Sequence, residues 1–280
     1  MRLLVTGARG QLGSDVLKYS VSCGMESIGA THEDFDITDA QASKDYISYY
    51  HPDAVIHCAA YNSVDQAEDE PKLCRLVNYN GTVNIATACS ECHAKMLYVS
   101  TDYVFSGKNS GIYEAEDEVD PLSVYGKSKA EGEAAVLGML SRCFIVRTSW
   151  LFGRNGKNFV KTMTELAKRN RSIRVVEDQV GSPTYTVDLA PLLVQMVCSN
   201  QYGIYHATNE GFCSWADFAE EIMRLLGAEC TIQRIKSAEY PTKATRPLNS
   251  RLSKEKLLRA GFYKLPLWQD ALQRYFFAKI

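Results

Sequence analysis

Short apolar runs alternate with longer amphipathic segments over the first 150 residues. The runs in "MRLLVTG", "DAVIHCAA", "AKMLYVST" and "CFIVRTS" are apolar throughout, which is typical of strands buried on both faces of a parallel sheet. Helical periodicity lies between them, near residues 11–20, 37–50, 70–93 and 124–139, and Thr38 or Asp39 is expected to cap the second helix. The alternation predicts a doubly wound α/β sheet with helices on both faces.

The pattern loosens after residue 150. Helices are predicted in "NFVKTMTELAKRN", "TVDLAPLLVQMVCS" and "SWADFAEEIMRLLG", and strands in "SIRVVED" and "YGIYHATN". We expect a smaller C-terminal lobe that closes over one end of the sheet. The chain is expected to return to the first domain around residues 180–205, so the division at residue 150 is a simplification.

Composition excludes several classes of function. The 280 residues carry a net charge of −2, whereas nucleic-acid-binding proteins usually show a basic excess. No apolar run approaches the roughly 20 residues that span a bilayer. The nine cysteines are an odd number, which suits reduced thiols. We therefore expect a cytoplasmic protein with no membrane or nucleic-acid partner.

A glycine-rich loop follows the first strand and opens the first helix. In "VTGARGQLG", Gly7 permits a tight turn, Gly10 lets the backbone approach a pyrophosphate, and Gly13 lets the helix pack closely on the strand. The spacing is G-x-x-G-x-x-G, a relative of the G-x-G-x-x-G fingerprint. The helix N-terminus adds N–H donors, which favours a dinucleotide site over an ordinary βα turn.

The segment "ESIGATHEDFDITD" is predicted to form the second strand and the loop after it, and it leaves the choice between NADH and NADPH open. Thr31 and His32 occupy the region where an acidic residue would bind the ribose 2′-hydroxyl, and three acidic residues follow at positions 33, 34 and 36. Arg9, in the glycine loop, is a candidate for a 2′-phosphate. The acidic residues favour NADH and Arg9 favours NADPH, so the two signals conflict.

A tyrosine and a lysine lie four residues apart in "YGKSKAEGE". Tyr125 and Lys129 share one face of the predicted helix, and an ammonium beside a phenol favours proton transfer near neutral pH by lowering the phenol pKa. The spacing is common by chance, so a polar helix face is the alternative. Ser100, Thr101, Asp102 and Tyr103 lie where a buried strand ends, which is where ligands of open α/β sheets bind.

Nine segments in order resemble the extended short-chain dehydrogenase/reductase family, and in particular its nucleotide-sugar reductases. They are "VTGARGQLG", "CAAYNSVDQAE", "VSTDYVFSG", "YGKSKAEGE", "VRTSWLFG", "NFVKTM", "DQVGSPT", "SWADFAEEI" and "RPLNSRL". The resemblance implies a Rossmann-type NAD(P)-binding domain at residues 1–150 and a mainly substrate-binding lobe at residues 151–280.

The resemblance also implies an activity. NADPH or NADH would reduce the C4 ketone of dTDP-4-dehydro-6-deoxy-L-mannose and give dTDP-L-rhamnose. By motif position, Tyr125 would donate the proton, Lys129 would tune Tyr125 and hold the cofactor ribose, and Thr101 would bind the carbonyl. The implied partner is this dTDP-linked 4-keto-6-deoxy sugar, and the protein would be a monomer or a homodimer.

Further site residues follow from the same resemblance. Substrate contacts are implied for Thr101, Asp102, Trp150, Asn158 and Arg246. Cofactor contacts are implied for Gly7, Gly10, Gln11, Leu12, Gly13, Asp36, Ile37, Ala59, Ala60, Tyr61, Asn62, Tyr125 and Lys129.

Some of these assignments have alternatives. Trp150 in the core, Asp102 as a loop cap and Arg246 in a surface salt bridge all stay open. The family often has His-Thr where this chain has Tyr61-Asn62, which leaves the details of the cofactor contacts open. The acidic residues that bridge some related dimers through a metal are not matched, so no metal is predicted.

Two other functions compete with a reductase. One is a related nucleotide-sugar reductase, epimerase or dehydratase, and the other is a non-catalytic regulatory subunit that keeps the fold. The presence of both Tyr125 and Lys129 argues against the second.

Overall fold

The computed structural model describes residues 1–277, in which strands and helices alternate. The strands are β1 (Arg2–Thr6), β2 (Glu26–Ala30), β3 (Ala54–His57), β4 (Lys95–Thr101), β5 (Cys143–Thr148), β6 (Leu151–Phe152), β7 (Ser172–Val176), β8 (Val180–Gly181), β9 (Thr184–Tyr185), β10 (Gly203–His206), β11 (Cys213–Ser214) and β12 (Thr231–Ile235). The helices are α1 (Gln11–Ser22), α2 (Ala40–Tyr50), α3 (Val64–Asp69), α4 (Pro71–Arg75), α5 (Gly81–Glu91), α6 (Val124–Met139), α7 (Phe159–Ala167), α8 (Thr186–Cys198), α9 (Trp215–Leu226), α10 (Glu255–Arg259) and α11 (Trp268–Phe277).

Six strands form a parallel sheet in the order β10-β5-β4-β3-β1-β2. Successive side chains alternate between its faces: Leu3 and Val5 of β1 pack with α1 and α8, whereas Leu4 packs with α2 and α5. Both faces are covered, which explains why the strands are apolar throughout. The doubly wound α/β prediction is confirmed.

The order of the sheet creates a crevice at one edge. The chain runs from β1 outward to β2 and then crosses back to β3 on the other side of β1. Connections leave β1 and β3 in opposite directions, so a crevice opens beyond their carboxyl ends. The glycine loop after β1 and residues 58–62 after β3 border this crevice.

Residues 70–93 were predicted to form one helix, but they form two helices, α4 and α5, joined by a π-helical turn. Pro71 begins α4 because a first-turn proline sacrifices no helical hydrogen bond. The backbone then widens into a π-helical turn at Leu76–Asn80 before α5 begins. The buried Asn78 side chain lies in that turn and bonds the backbone of Tyr61 and the hydroxyl of Ser128. The irregular turn therefore joins the loop after β3 to α6.

Asp39, one of the two residues predicted to cap α2, is its N-cap. The side chain of Asp39 accepts hydrogen bonds from the backbone N–H groups of Gln41 and Ala42. These contacts satisfy two donors of the first turn.

A second core forms around α7, α9, α11 and β7. Its buried members include Phe152, Met163, Phe218 and Trp268. The chain also returns to the sheet: α8 packs on α1, β10 pairs with β5, and Leu257 and Phe262 join the core of the sheet. The boundary at residue 150 stays a prediction. Within residues 1–277, none of the helices combines the length and hydropathy that crossing a membrane requires.

Candidate active site

A cavity of about 400 Å³ lies beyond the carboxyl ends of the central strands. It brings together most of the residues predicted from the sequence. Those that line it are Gly7, Gly10, Gln11, Leu12, Gly13, Ala60, Asn62, Thr101, Asp102, Tyr125, Lys129 and Trp150. Residues from positions 7 to 150 converge here because parallel strands end at the same edge of the sheet.

The glycine loop forms a cradle that suits a pyrophosphate. Gly7 has φ +66°, and a Cβ at this position would lie 2.8 Å from the amide nitrogen of Ala59. Among residues 1–277, no side chain caps the N-terminus of α1, so first-turn N–H groups are available to an anion. The predicted cofactor residues in this loop therefore fit the phosphates of a dinucleotide.

A second cavity of about 340 Å³ adjoins the glycine loop on the β2 side. Three of the predicted cofactor residues, Asp36, Ile37 and Ala59, line it together with Arg9, Thr31 and His32.

Charged side chains around this second cavity are already paired. The Asp34 carboxylate accepts hydrogen bonds from the Thr31 backbone N–H and hydroxyl, both at 2.8 Å, and so closes its own turn. Arg9 forms an exposed ion pair with Glu33 at 2.5 Å. In the part of the chain that the structure describes, this cavity therefore has neither a free acid for the 2′-hydroxyl nor a free arginine for the 2′-phosphate that would decide the cofactor.

Helix α6 is fixed closely against the end of β4. Ser123 caps it by accepting from the Gly126 N–H at 3.1 Å, and the Val124 N–H donates to Glu68 at 2.9 Å. A Cβ at Gly126 would lie 2.2 Å from the carbonyl oxygen of Tyr103. The glycine after Tyr125 therefore lets the helix approach the strand end and places Tyr125 in the cavity.

Tyr125 is buried, and its hydroxyl lies 3.4 Å from the Asn62 side-chain oxygen. Tyr103 packs edge-on against its ring, with centroids 5.6 Å apart. Burial raises the pKa of the Tyr125 phenol, which differs from the lowering by Lys129 that the sequence suggested. The physical reason is that the cavity wall removes water from the phenolate. The phenol is consequently protonated at neutral pH, the form that a proton donor needs.

The Lys129 ammonium points away from bulk water. Its Nζ donates to the Val99 carbonyl at 2.8 Å and lies 4.0 Å from the centroid of the Tyr98 ring. Burial lowers its pKa to about 7, because the charged form loses hydration.

Thr101 and Asp102 form a polar pair at the end of β4. The Thr101 hydroxyl donates to Asp102 Oδ1 at 3.0 Å and accepts from the Tyr103 N–H at 3.2 Å. Within residues 1–277, Asp102 Oδ2 and the Thr148 hydroxyl have no hydrogen bond of ordinary geometry, although the Ser250 side chain interacts with the Asp102 carboxyl and opposes the rise in its pKa. Burial raises the Asp102 pKa to about 6. Unpartnered buried polar atoms on a cavity wall are suited to a hydroxylated ligand.

Trp150 follows β5 with φ +49° and is half-buried. Its indole stacks on that of Trp215, with centroids 3.7 Å apart and 11° between the planes. Both rings line the main cavity, so Trp150 is a wall of the cavity and also contacts the second core.

Three predicted site residues lie outside both cavities described above. The Tyr61 hydroxyl donates to Glu70 at 2.8 Å. Asn158 caps α7, and its amide donates to Gln11 and to the Gly153 carbonyl. Arg246 pairs with Asp65 at 2.6 Å, the salt bridge that the sequence left open.

Ser100 and Tyr103, expected from their place at the strand end to lie near the substrate, line the cavity. Lys157 and Trp215 also line it, but they were not predicted from the sequence because they come from a loop and a helix far along the chain. The signal for Trp215 was its place in "SWADFAEEI", yet nothing local to it shows that its ring meets Trp150. Within residues 1–277, no group of three or more metal-ligating side chains lies together. The expectation of no metal stays a prediction.

Comparison with known proteins identifies the family. The model of the RmlD substrate binding domain family matches residues 1–279. The chain belongs to this family. The spore coat polysaccharide biosynthesis protein SpsK of Bacillus subtilis strain 168 is 40% identical over 274 residues, 98% of this chain and 96% of that protein. The dTDP-4-dehydrorhamnose reductase of Aggregatibacter actinomycetemcomitans is 42% identical over 285 residues, 97% of each chain.

A solved structure of the family extends the comparison to the fold. The dTDP-4-dehydrorhamnose reductase of Bacillus anthracis strain Ames, in complex with NADP, superposes with a TM-score of 0.96. It is 38% identical, and the match covers 98% of both chains. The Rossmann-type fold and the resemblance to nucleotide-sugar reductases are confirmed. The roles of the individual site residues stay proposals.

Proposed function

We propose that this protein is a dTDP-4-dehydrorhamnose reductase, which reduces the C4 ketone of a dTDP-linked 4-keto-6-deoxy hexose. The observation that supports this most directly is the placement of Tyr125, Lys129, Thr101 and Asp102 around one cavity beside the glycine cradle. The reductases that match at about 40% identity over nearly the whole chain supply the substrate class.

The residues of the cavity suit ketone reduction. A reduced nicotinamide cofactor, when bound, supplies the hydride to C4 of the sugar. The protonated Tyr125 phenol gives its proton to the oxygen that becomes the C4 hydroxyl, and the Thr101 hydroxyl orients that oxygen. Lys129 lines the cavity, and the ammonium donors that the Val99 carbonyl does not use would hold the cofactor ribose. One hydride and one proton convert the C=O into CH–OH.

A third cavity, of about 710 Å³, provides room for the nucleotide half of the substrate. It shares Tyr103 and Trp215 with the main cavity, and Phe159, Met163 and Arg246 also line it. Apolar and aromatic walls suit a base, and arginine donors suit a diphosphate. Two Arg246 nitrogens donate to Asp65 in this structure. Arg246 would therefore bind the diphosphate through its remaining N–H donors, or the diphosphate would replace Asp65 as its partner.

We place the reaction in the cytoplasm, with the protein acting as a monomer or homodimer. All nine cysteines are free thiols, which suits a reducing compartment. The cofactor is NADPH or NADH.

The decisive experiment follows absorbance at 340 nm with dTDP-4-keto-6-deoxy-L-mannose and either NADH or NADPH. We expect rapid oxidation of at least one cofactor and formation of dTDP-L-rhamnose. Saturable cofactor binding without oxidation would refute this substrate and favour another nucleotide sugar. Cofactor that stays bound through purification would favour an epimerase or dehydratase.

A further inference from the structure

A buried ion pair lies directly behind the cavity and has no role in the proposed proton transfer. Glu133 and Arg147 are 4% and 2% exposed. Two Arg147 nitrogens bind the Glu133 carboxylate, with Nε to Oε1 at 2.9 Å and one terminal nitrogen to Oε2 at 2.7 Å. The Ser100 hydroxyl donates to the same carboxylate at 2.5 Å. Taking such a pair out of water costs free energy, so its presence needs a reason.

The Glu133 carboxylate joins the three elements that form the site. Glu133 lies on α6, which also holds Tyr125 and Lys129. Ser100 precedes Thr101 at the end of β4, and Arg147 lies three residues before Trp150 in β5. A side chain with contacts on all three elements fixes their relative positions.

Glu133 also lies one helical turn beyond Lys129. Residues four apart share a helix face, and both side chains are almost fully buried. Their charges therefore interact through a medium with little screening.

Apart from Glu133, the titratable groups whose charges act on the Lys129 ammonium or whose rings lie beside it are uncharged at neutral pH. Burial lowers the pKa of His57 to about 3 and raises that of Cys58 to about 12. Burial also raises the pKa values of the remaining groups, which are Cys74, Tyr98 and Tyr125. Among the described neighbours of the ammonium, Glu133 is therefore the source of negative charge.

We infer that Glu133 is a positioning residue, which supplies the counter-charge for the Lys129 ammonium and fixes α6 against the ends of β4 and β5. Arg147 and Ser100 hold the carboxylate in place. The inference rests on the proposed function, because it concerns the tuning of the proposed Tyr–Lys pair. It assigns a role to the last residue of "YGKSKAEGE".

The test compares Glu133→Gln with Glu131→Gln. Glu131 lies on the same helix and pairs with Arg75 at 2.7 Å, but both side chains are about half exposed. The readout is the pH titration of the carbon-13 signal of Lys129 Cε in protein labelled at lysine Cε. Lys129→Met identifies the signal by its loss. This measurement needs neither substrate nor turnover.

We expect Glu133→Gln to shift the Lys129 titration to lower pH by roughly one unit or more, and Glu131→Gln to leave it unchanged. Arg147→Met is expected to shift it to higher pH, since Glu133 then faces Lys129 without its own partner. Glu133→Gln combined with Arg147→Met removes both buried charges, so no charge is left buried without a partner and the variant is expected to fold. It should again shift the titration to lower pH. A titration that stays within about 0.3 units of the wild type in both the single Glu133→Gln variant and this double variant would overturn the inference.

Steady-state pH profiles give the second readout. In Glu133→Gln, the alkaline limb of kcat/KM should move to lower pH with the Lys129 titration. If the Lys129 titration shifts but the alkaline limb of kcat/KM stays at the same pH, the Glu133 charge has no role in catalysis. Absence of turnover in the wild-type protein would refute the proposed function instead. The Lys129 titration would still show whether the Glu133 charge acts on Lys129.

Discussion

The indole of Trp150 lies face to face with that of Trp215, although 65 positions separate them in the chain. Trp150 follows the last strand before the second core, and Trp215 begins α9 within that core. The stack therefore connects the sheet end that holds the proposed catalytic residues with the wall of the cavity proposed for the nucleotide.

Gly181 packs closely against the Trp150 indole, and the first prediction rests on this contact. A Cβ at Gly181 would lie 2.8 Å from Cε2 of Trp150. We expect Gly181→Ala to displace the indole and lower kcat/KM for the sugar nucleotide by about 10- to 100-fold. Cofactor affinity should be unchanged, since the glycine loop is not touched.

Gly138→Ala is the matched control for that change. A Cβ there meets nothing within 4 Å, on an exposed part of α6. We expect unchanged kinetics and stability that is unchanged or slightly higher. Equal kinetic losses in the two variants would contradict a role for the indole position. Steady-state kinetics and fluorescence titration with cofactor distinguish these results.

Tyr125→Phe removes the proposed proton donor and little else. We expect kcat to fall by roughly 10²- to 10⁴-fold, with folding and cofactor binding retained. Tyr49→Phe is the control, because Tyr49 is 79% exposed and far from the cavity in the helix α2. Turnover of Tyr125→Phe near that of the wild type would refute the assignment.

Asp102 is expected to lower stability at neutral pH. Burial raises its pKa from 3.8 to about 6, so the folded protein holds this proton more tightly than the unfolded chain. The stability cost is absent below pH 4, grows between pH 4 and 6, and is complete above pH 6. We expect Asp102→Asn to raise the free energy of unfolding by about 3 kcal/mol at pH 7.5 and by little at pH 4.

Urea denaturation at the two pH values measures this difference. Asp120→Asn serves as the control, since Asp120 is exposed and paired with Lys108 at the surface. Its effect should stay within about 0.5 kcal/mol at both pH values. A pH-independent effect of Asp102→Asn would contradict the prediction.

The Arg9–Glu33 pair is expected to influence the choice of cofactor. Arg9→Gln should weaken binding of adenosine 2′,5′-bisphosphate by about tenfold, because a charge-assisted hydrogen bond is lost, but leave ADP binding unchanged. Glu33→Gln should strengthen binding of the bisphosphate, since it frees the guanidinium.

Calorimetric titration of both nucleotides measures this effect. Arg224→Gln is the control, because Arg224 is exposed like Arg9 and pairs with Glu221 on α9. An equal loss for both nucleotides in Arg9→Gln would mean that Arg9 supports the loop and has no selectivity for the 2′-phosphate.

The predictable parts of the site are those encoded by local pattern. The glycine loop, the strand-end Thr101-Asp102 pair and the Tyr125–Lys129 spacing were all visible in the sequence, and the structure places them around one cavity. The break at Leu76–Asn80 was not visible, because it depends on what the Asn78 side chain bonds in the folded protein. From the resemblance, Asn158 and Arg246 were expected to contact the substrate. In the structure Asn158 bonds Gln11 and Arg246 pairs with Asp65, and both partners are far away in the sequence.

The sequence by itself determined the strands of the central sheet, the longer helices and the end of the sheet where chemistry is expected, because periodicity and turn residues act over a few positions. Only the tertiary structure decided which distant side chains meet, such as Trp150 with Trp215 and Glu133 with Arg147. It also decided the direction of the Tyr125 pKa, since desolvation depends on the whole cavity wall and not on a neighbour four residues away.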